Sequence, residues 1–193
     1  MARRPSPERV YQLDIRLAHI DPPIWRRILV SDQITLAALH HLLQVVLGWE
    51  HSHLHQFLVG SARYGEPDPE YDDDMQSDRR VRLRDIAGEK GANFVYEYDF
   101  GDSWQHLITI EDLWPRTEHD IVPRCLDGGR ACPPEDSGGI GGYEHLLEVL
   151  RNRRHAEYRE LRAWAGAHFE PELFSAQAVN SALALLVALG VTS

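Results

Sequence analysis

Cysteine and long apolar runs are both scarce in this sequence, and each shortage excludes a class of protein. The two cysteines, Cys125 and Cys132, are too few for a disulfide framework and suit a reducing compartment. The longest apolar stretch, 182–189, is far shorter than the roughly 20 residues of a membrane-spanning helix. The basic residues at the N-terminus are not followed by an apolar segment, so no secretory signal is predicted. We therefore expect a cytoplasmic protein that does not engage a membrane.

Positive charge is scarce as well. Asp and Glu number 30 against 20 Lys and Arg, which gives a formal net charge of −10. Proteins that depend on phosphate contacts present a basic face, because the release of counterions drives that binding. Short arginine clusters at 26–27, 79–84 and 151–154 read equally well as solvated surface. We expect a protein partner, with direct nucleic-acid binding disfavoured but still open, and the oligomeric state is not predicted.

The rest of the composition is that of an ordinary folded domain. Hydrophobic residues make up 43% and charged residues 26% of the 193 positions, values typical of globular proteins. A chain of this length suits one domain. We assign residues 1–9 to a flexible tail and residues 10–193 to a single domain.

Alternation of apolar and polar residues predicts the strands, because successive side chains of a strand point to opposite faces. Five segments show this alternation: 11–17, 24–30, 53–59, 93–100 and 104–113. The turn at 21–23 makes a hairpin of the first two, and Gly101 with Asp102 joins the last two. Loops are predicted at 65–78, which is acidic, and at 114–142.

The segment TLAALHHLLQVVLGW, at 35–49, has the clearest helical pattern. Its leucines and valines repeat at helical spacing, with Thr35 placed to cap the start and Gly48 to end the helix. A short helical turn is predicted at 80–87, and three more helices at about 143–153, 155–166 and 176–189, the last capped by Ser175. We predict an α+β fold: a mostly antiparallel sheet of about five strands covered by one amphipathic helix, with a C-terminal helical annex.

Several motifs in a fixed order point to a known family. They are the helix at 35–49 together with PPIWRRI at 22–28, HLHQF at 53–57, YDFGDSWQH at 98–106 and CLDGGRACPPEDSGGIGGY at 125–143. On these motifs the chain resembles the plasmid pRiA4b ORF-3-like family, also described as MM3350-like, over about residues 10–185. The resemblance implies an uncharacterised protein, and some family members are described as passengers of insertion elements.

Histidines and carboxylates in two of these motifs suggest a metal site. Residues two apart on a strand point the same way about 6.6 Å apart, so His53 and His55 could converge on one divalent ion such as zinc. Asp102 or His106 would complete the set and leave positions for water or substrate. The alternative is that the histidines occupy a polar sheet face and that Asp102 only builds the hairpin turn.

The glycine-rich loop at 131–143 suggests a ligand pocket. Gly138 and Gly139 allow close backbone approach, and the helix that follows offers free N–H groups to an anion. The predicted pocket comprises Trp104, Asp99, Gly138, Gly139 and Tyr143. Glu135 and Asp136 are candidate catalytic residues, an acid and a base if burial separates their pKa values. The alternative is a rigid cover loop whose prolines and glycines only fix its path.

Two further patterns have a structural and a functional interpretation. Cys125 and Cys132 could contribute to a zinc site, but two buried small side chains are favoured. The aromatic row Phe94, Tyr96, Tyr98 and Phe100 could stack on bases, but a place in the core is favoured.

The metal-site hypothesis and the ligand-pocket hypothesis share one requirement. The polar strand ends and the loop at 131–143 must meet, and we expect them to meet on the sheet face opposite the helix.

No complete pair of nucleophile and base is visible, so the sequence favours a binding or regulatory module over an enzyme. The family resemblance implies that such a module would be an accessory protein associated with mobile elements, acting through protein or nucleic-acid machinery. The alternative function is a metal-dependent hydrolase, with His53, His55, Asp102 and His106 as metal ligands. In that mechanism Glu135 or Asp136 would act as the base.

Overall fold

Eight strands form one sheet in the computed structural model, which describes residues 7–67, 74–166 and 168–190. The strands are β1 (Arg9–Leu17), β2 (Trp25–Ser31), β3 (His55–Val59), β4 (Ala62–Gly65), β5 (Met75–Ser77), β6 (Asn93–Tyr98), β7 (Trp104–Pro115) and β8 (Arg124–Gly129). Their order across the sheet is β5-β4-β3-β6-β7-β1-β2-β8. Neighbouring strands are antiparallel except β4 and β5, which run parallel.

The predicted sheet of about five mostly antiparallel strands under one helix is wrong. The described residues form a mixed sheet of eight strands, accompanied by five helices. β4 and β5 have only 4 and 3 residues, too few to show a period of two. β8 ends in Gly128 and Gly129, which have no side chains to alternate. These three strands therefore lie in segments without a strand pattern.

The two predicted hairpins are confirmed. β1 pairs with β2 in antiparallel register, and β6 pairs with β7 so that Tyr98 lies opposite Trp104. The second connection comprises residues 99–103 rather than a two-residue turn. It reverses the chain with positive φ values at Asp99 (58°) and Ser103 (54°), a conformation that aspartate tolerates better than most residues. This turn places Asp99 at the end of β6.

Five helices lie in the described residues: α1 (Leu36–Leu47), α2 (Leu83–Ile86), α3 (Gly139–Arg151), α4 (Tyr158–Trp164) and α5 (Ala176–Ala188). The predicted caps of α1 are confirmed. The hydroxyl of Thr35 accepts a hydrogen bond from the backbone N–H of Ala38 at 3.2 Å, and Gly48 has the left-handed φ of 86°. Ser175 caps α5 in the same way, accepting from the N–H of Ala178 at 3.2 Å.

The apolar side of α1 covers the middle of the sheet. Its leucines at 36, 39, 42 and 43 are fully buried and belong to the same core as Tyr11, Leu13, Ile15, Phe57, Tyr96, Ile108 and Ile110 of the sheet. Burial of each leucine side chain contributes about 1.5–3 kcal/mol relative to an exposed one. Arg26 of β2 reaches the same helix and donates from Nε to the carbonyl of Val46 at 3.0 Å. Arg26, one of the arginines interpreted from the sequence as solvated surface, is therefore a buried residue that supports the fold.

Three members of the predicted aromatic row lie in the core. Phe94, Tyr96 and Tyr98 are almost completely buried, whereas Phe100 lies beyond the end of β6 and is 44% exposed. The core interpretation is confirmed for these three side chains, and their faces are not available for stacking on bases.

Both cysteines are free and buried. Burial raises the pKa of the Cys125 thiol to about 11 and also raises the pKa of Cys132. The interpretation of two small buried side chains is confirmed.

The predicted tail and the predicted acidic loop lie partly outside the described residues. Of the predicted tail at 1–9, residues 1–6 lie outside the described residues, and Arg9 begins β1. Of the predicted acidic loop at 65–78, residues 68–73 are likewise not described, and β5 occupies 75–77. No helix in the described part of the chain has the length and apolar character needed to cross a bilayer.

Candidate metal centre

Four polar side chains meet at the end of β6 around the imidazole of His53. The Nε2 atom of His53 lies 3.0 Å from Oδ1 of Asp136, 3.7 Å from Oδ2 of Asp99 and 3.7 Å from Oε2 of Glu135. We call His53, Asp99, Glu135 and Asp136 the carboxylate–histidine cluster. The residues come from three separate segments of the chain, so only the tertiary fold assembles them.

The turn after β6 orients Asp99. Its Oδ1 atom accepts hydrogen bonds from the backbone N–H groups of Gly101 (2.9 Å) and Asp102 (3.4 Å). Its other oxygen, Oδ2, faces His53. The side chain is only 10% exposed, so one carboxylate oxygen builds the turn and the other is presented to the cluster.

Tyr98 joins the segment that carries His53 to the loop that carries Glu135. Its hydroxyl accepts hydrogen bonds from the N–H groups of Ser52 (3.0 Å) and His53 (3.3 Å), and donates to Oε1 of Glu135 at 3.0 Å. Burial raises the pKa of Tyr98 to about 12, so the hydroxyl keeps the proton that it donates. Glu135 Oε1 also accepts from the N–H of Glu50 at 2.8 Å, which leaves Oε2 directed toward His53.

The segment after α1 holds the loop over the cluster. The indole N–H of Trp49 donates to the carbonyl of Pro133 at 3.0 Å, and the ring stacks on Tyr98 with centroids 4.7 Å apart. Beyond the cluster, the N–H of Gly138 donates to Oδ2 of Asp102 at 3.0 Å. These contacts fix both ends of the segment that contains Asp136, whose own side chain is 72% exposed.

The donor spacing within the cluster fits a small divalent cation. The donor atoms of His53, Asp99 and Asp136 all lie within 4.8 Å of one another. Zinc–ligand bonds of about 2.0–2.2 Å place tetrahedral donors roughly 3.3 Å apart, close to the separations around His53. The Nε2 atom of His53 is buried and makes no hydrogen bond. A cation would satisfy this nitrogen and relieve the repulsion among three carboxylates.

The cluster lies on the sheet face that α1 covers, so the expectation of the opposite face is wrong. Tyr96 and Tyr98 share one face of β6 because they are two residues apart. The hydroxyl of Tyr96 contacts His40 and Gln44 of α1 at 2.8 and 2.9 Å. Tyr98, around which the cluster is built, therefore points to the same side as the helix. The predicted meeting of strand ends and loop does occur, at the C-terminal end of α1.

The four predicted metal ligands lie in different surroundings. His53 is in the cluster, whereas Nε2 of His55 lies 2.9 Å from Oδ2 of Asp78. Asp102 accepts from Gly138 as described above. His106 is fully buried, its Nδ1 lies 3.3 Å from the carbonyl of Tyr96, and burial lowers its pKa to about 4. These four side chains do not meet as one set of ligands.

The residues of the predicted ligand pocket also separate. Asp99 belongs to the cluster, while Trp104 and Tyr143 are 1% and 0% exposed and lie in the core. Gly138 and Gly139 have left-handed φ values of 82° and 67°, and a Cβ on Gly139 would approach the carbonyl of Asp102 to 3.0 Å. These two glycines therefore let the loop pack against the turn after β6. The candidate catalytic residues Glu135 and Asp136 both lie in the cluster.

A cavity of about 380 Å³ borders the cluster at Asp136. Ser137 lines it on the loop side, and side chains of α3 and α4 line the rest: His145, Leu146, Glu160, Leu161 and Trp164. Its mixed apolar and polar walls are typical of small-molecule sites. Asp136 is the member of the carboxylate–histidine cluster that lines this cavity, and the space is large enough for a small molecule.

A second group of histidines was missed by the sequence reasoning. Nitrogen atoms of His40, His41 and His51 lie within 4.8 Å of one another. The sequence carries one signal for this group, a local concentration of histidines: five of the 11 fall between positions 40 and 55. Neighbouring residues on a helix normally point in different directions, so the pattern HH did not indicate a shared site.

The sequence profile of plasmid pRiA4b ORF-3-like proteins matches residues 9–178. The chain belongs to this family. The predicted resemblance is thus confirmed over residues 9–178, which contain all eight described strands and helices α1 to α4.

Two proteins similar to this pRiA4b ORF-3-like chain show how far the similarity extends. Uncharacterized protein y4hQ of Sinorhizobium fredii (strain NBRC 101917 / NGR234) is 38% identical over 159 residues, which are 82% of this chain and 81% of that protein. The crystal structure of MM3350 from Methanosarcina mazei Go1, a protein of unknown function, has a TM-score of 0.80 and 39% identity. That match covers 88% of this chain and 97% of MM3350. Both relatives are described as uncharacterised, so the function must be argued from the site.

Proposed function

We propose that this pRiA4b ORF-3-like protein binds a divalent transition-metal ion, zinc foremost, at the carboxylate–histidine cluster and hydrolyses a small substrate there. The observation that carries the proposal is the buried Nε2 atom of His53, which makes no hydrogen bond and has three carboxylate oxygens at 3.0–3.7 Å. The ligand types agree, because one imidazole with carboxylates suits zinc, manganese and iron, whereas calcium sites use oxygen alone.

Each residue of the cluster has a separate role in this proposal. His53, Asp99 and Asp136 hold the ion, since their donor atoms lie within 4.8 Å of one another. Zinc with an open coordination position lowers the pKa of water to about 7 and polarises carbonyl or phosphoryl groups. Glu135 acts as the general base, because Tyr98 and Glu50 hold its Oε1 atom and leave Oε2 free beside the site.

The substrate occupies the cavity beside Asp136. Its volume of about 380 Å³ is at the small end of the range for ligand pockets. Leu146, Leu161 and Trp164 offer an apolar wall, while Glu160 adds a further negative charge to that of the cluster. We therefore expect a small uncharged or cationic molecule with an apolar part, joined by an ester or amide bond.

The proposal is tested by metal titration and by turnover of a chromogenic ester. The chelator-treated protein is titrated calorimetrically with zinc chloride, and hydrolysis of p-nitrophenyl acetate is followed with and without the metal. We expect His53→Gln to weaken zinc binding at the cluster by at least about tenfold and to abolish metal-dependent turnover. Glu135→Gln should retain zinc and lower kcat.

His119→Gln is the matched control, because His119 is 88% exposed and lies outside the cluster. Equal zinc affinity and equal turnover in His53→Gln and His119→Gln would refute the proposal. Zinc binding that depends on His53 without any turnover would leave a metal-binding protein and remove the hydrolytic step.

A second candidate function, a protein-binding module, is favoured by the outer face of α5. Leu185 and Leu189 lie one turn apart and are 69% and 78% exposed, while Leu183 faces the core. A helix that is apolar on both sides commonly docks against a partner. The association with mobile elements is implied by the family resemblance and stays a prediction.

The double variant Leu185→Glu, Leu189→Glu tests this face of α5. The variant should fold normally and should lose any partner that cross-links to the wild-type protein in cells. Retention of that partner would exclude this face as the binding surface.

A further inference from the structure

A group of imidazoles lies on the same sheet face as the carboxylate–histidine cluster but uses different residues. We call His40 and His41 of α1 and His51 of the following segment the histidine cluster. One nitrogen atom of each ring lies within 4.8 Å of the others. The described contacts of these three residues involve none of the four members of the carboxylate–histidine cluster.

The end of α1 brings these three rings together. Gly48 stops the helix in a left-handed conformation, and His51 itself has a positive φ of 59°. The backbone N–H of His51 then donates to Oε1 of Gln44 on the helix at 2.8 Å. The chain therefore turns back along α1, and the ring of His51 contacts both histidines, with centroids 4.5 Å from His40 and 4.8 Å from His41.

His40 is held from two sides in one orientation. Its Nδ1 atom lies 2.8 Å from the hydroxyl of Tyr96, which also accepts from Nε2 of Gln44 at 2.9 Å. The ring of His55 stacks on it with centroids 3.5 Å apart. Metal-binding histidines commonly donate their second ring N–H to such a partner, which fixes the tautomer. Tyr96 thus directs the Nε2 atom of His40 toward His51.

We propose that His40, His41 and His51 form a second metal site, selective for transition-metal ions that prefer imidazole, with Cu²⁺ and Ni²⁺ ahead of Mn²⁺ and Mg²⁺. All three ligands are nitrogen donors, whereas the carboxylate–histidine cluster is rich in oxygen. Affinity of nitrogen sites rises along the first-row series to copper. The two sites therefore differ in selectivity, and the histidine cluster should favour copper over manganese more strongly.

Metal binding requires a small outward movement of His51. Its Nδ1 atom lies 2.5 Å from Nε2 of His40, whereas two ligands of one ion are roughly 3 Å apart. His51 is exposed and His41 is half-buried, so these rings have room to move while His40 stays fixed. Their exposure also leaves coordination positions open to solvent.

The test uses the full chain with the carboxylate–histidine cluster disabled by His53→Gln and Asp136→Asn. Chelator-treated protein is titrated with CuCl₂ alone, and electron paramagnetic resonance reports how many nitrogen atoms coordinate the copper. We expect one Cu²⁺ site with superhyperfine splitting from imidazole nitrogens. His51→Gln and His41→Asn should each weaken that site by at least about tenfold, while His119→Gln should leave it unchanged.

Several outcomes would overturn the inference. Copper affinity unchanged by both His51→Gln and His41→Asn, or a copper spectrum with oxygen ligands only, would show that the histidine cluster is a packing feature. The site does not depend on the proposed hydrolase. His51→Gln and His41→Asn are therefore also made in the wild-type chain, where His53, Asp99, Glu135 and Asp136 stay in place and turnover can be measured. Weakened copper binding with normal zinc-dependent turnover would support both proposals, whereas unchanged copper binding with normal turnover would contradict this one alone.

Discussion

At the scale of single residues, the phenol of Tyr98 is the junction of the carboxylate–histidine cluster. One oxygen accepts from two backbone N–H groups, of Ser52 and His53, and donates to Glu135. Since Ser52 and His53 belong to a segment without regular structure, this hydroxyl supplies their N–H groups with the acceptor that a strand or helix would otherwise provide. Tyr98 therefore determines both where His53 lies and how Glu135 is oriented.

Tyr98→Phe should destabilise the protein by about 1–3 kcal/mol, because buried donors and an acceptor lose their partner. It should also weaken zinc binding, since His53 and Glu135 lose their common anchor. Urea unfolding and zinc calorimetry measure the two effects. Tyr64→Phe, a half-buried tyrosine of β4, is the matched control. Unchanged zinc affinity in Tyr98→Phe would show that the hydroxyl does not position the cluster.

His106 makes stability depend on pH. Burial lowers its pKa to about 4, whereas an exposed histidine in the unfolded chain titrates near about 6.5. Between these values the unfolded state binds a proton that the folded state does not, so the free energy of unfolding falls as the pH drops from about 6.5 toward 4. For this group alone the loss at pH 5 is about 2 kcal/mol.

The variant His106→Phe should be less stable than wild type at pH 7.5, and that deficit should shrink by about 2 kcal/mol at pH 5. Urea unfolding at the two pH values measures the difference. A deficit that is equal at both values would mean that His106 titrates normally in the folded protein.

At the scale of elements, α1 supports both the core and the two clusters. Its leucines fill the space above the sheet, and the residues just after Gly48 contact the carboxylate–histidine cluster and its loop. Trp49 stacks on Tyr98 and binds the carbonyl of Pro133, while the N–H of Glu50 holds Glu135. The position of the helix end therefore controls the position of the loop at 131–143.

Leu43→Ala should cost about 2–5 kcal/mol of stability, since the fully buried side chain leaves a cavity in the core. Leu185→Ala on α5 is the control, because that side chain is 69% exposed and its loss should change stability by no more than about 0.5 kcal/mol. Chemical denaturation compares the two. Equal effects would mean that α1 does not pack on the sheet as described.

At the scale of the whole molecule, a metal ion would tie together segments that are far apart in the chain. His53 follows α1, Asp99 follows β6, and Asp136 precedes α3. A ligand that binds only the folded state stabilises it by mass action, by about 2.7 kcal/mol at a free concentration 100 times its Kd. Bound zinc should accordingly act on the global unfolding transition.

We therefore expect the thermal midpoint to rise with added zinc, and the rise to be largely lost in His53→Gln. Calorimetric scans of the chelator-treated protein at increasing zinc concentration measure this effect, with His119→Gln as control. A midpoint that does not respond to zinc in the wild type would contradict a cation bound at the cluster.

The sequence by itself determined the local elements and the family. The caps of α1, the two hairpins and the burial of Tyr96 and Tyr98 follow from spacing and from residue preferences over a few positions. The short strands β4 and β5 and the glycine-containing β8 form only because neighbouring strands offer them hydrogen bonds. No period within these segments could predict them.

The tertiary structure decided which polar residues meet. His53 and His55 are only two residues apart in sequence, yet they have different partners. His53 lies beside Asp99 and Asp136, while His55 stacks on His40 and contacts Asp78. His53 lies before β3 begins, so the strand geometry that predicted convergence with His55 does not apply to it. Spacing within one segment determines local conformation, but the partners of a side chain depend on how distant segments pack.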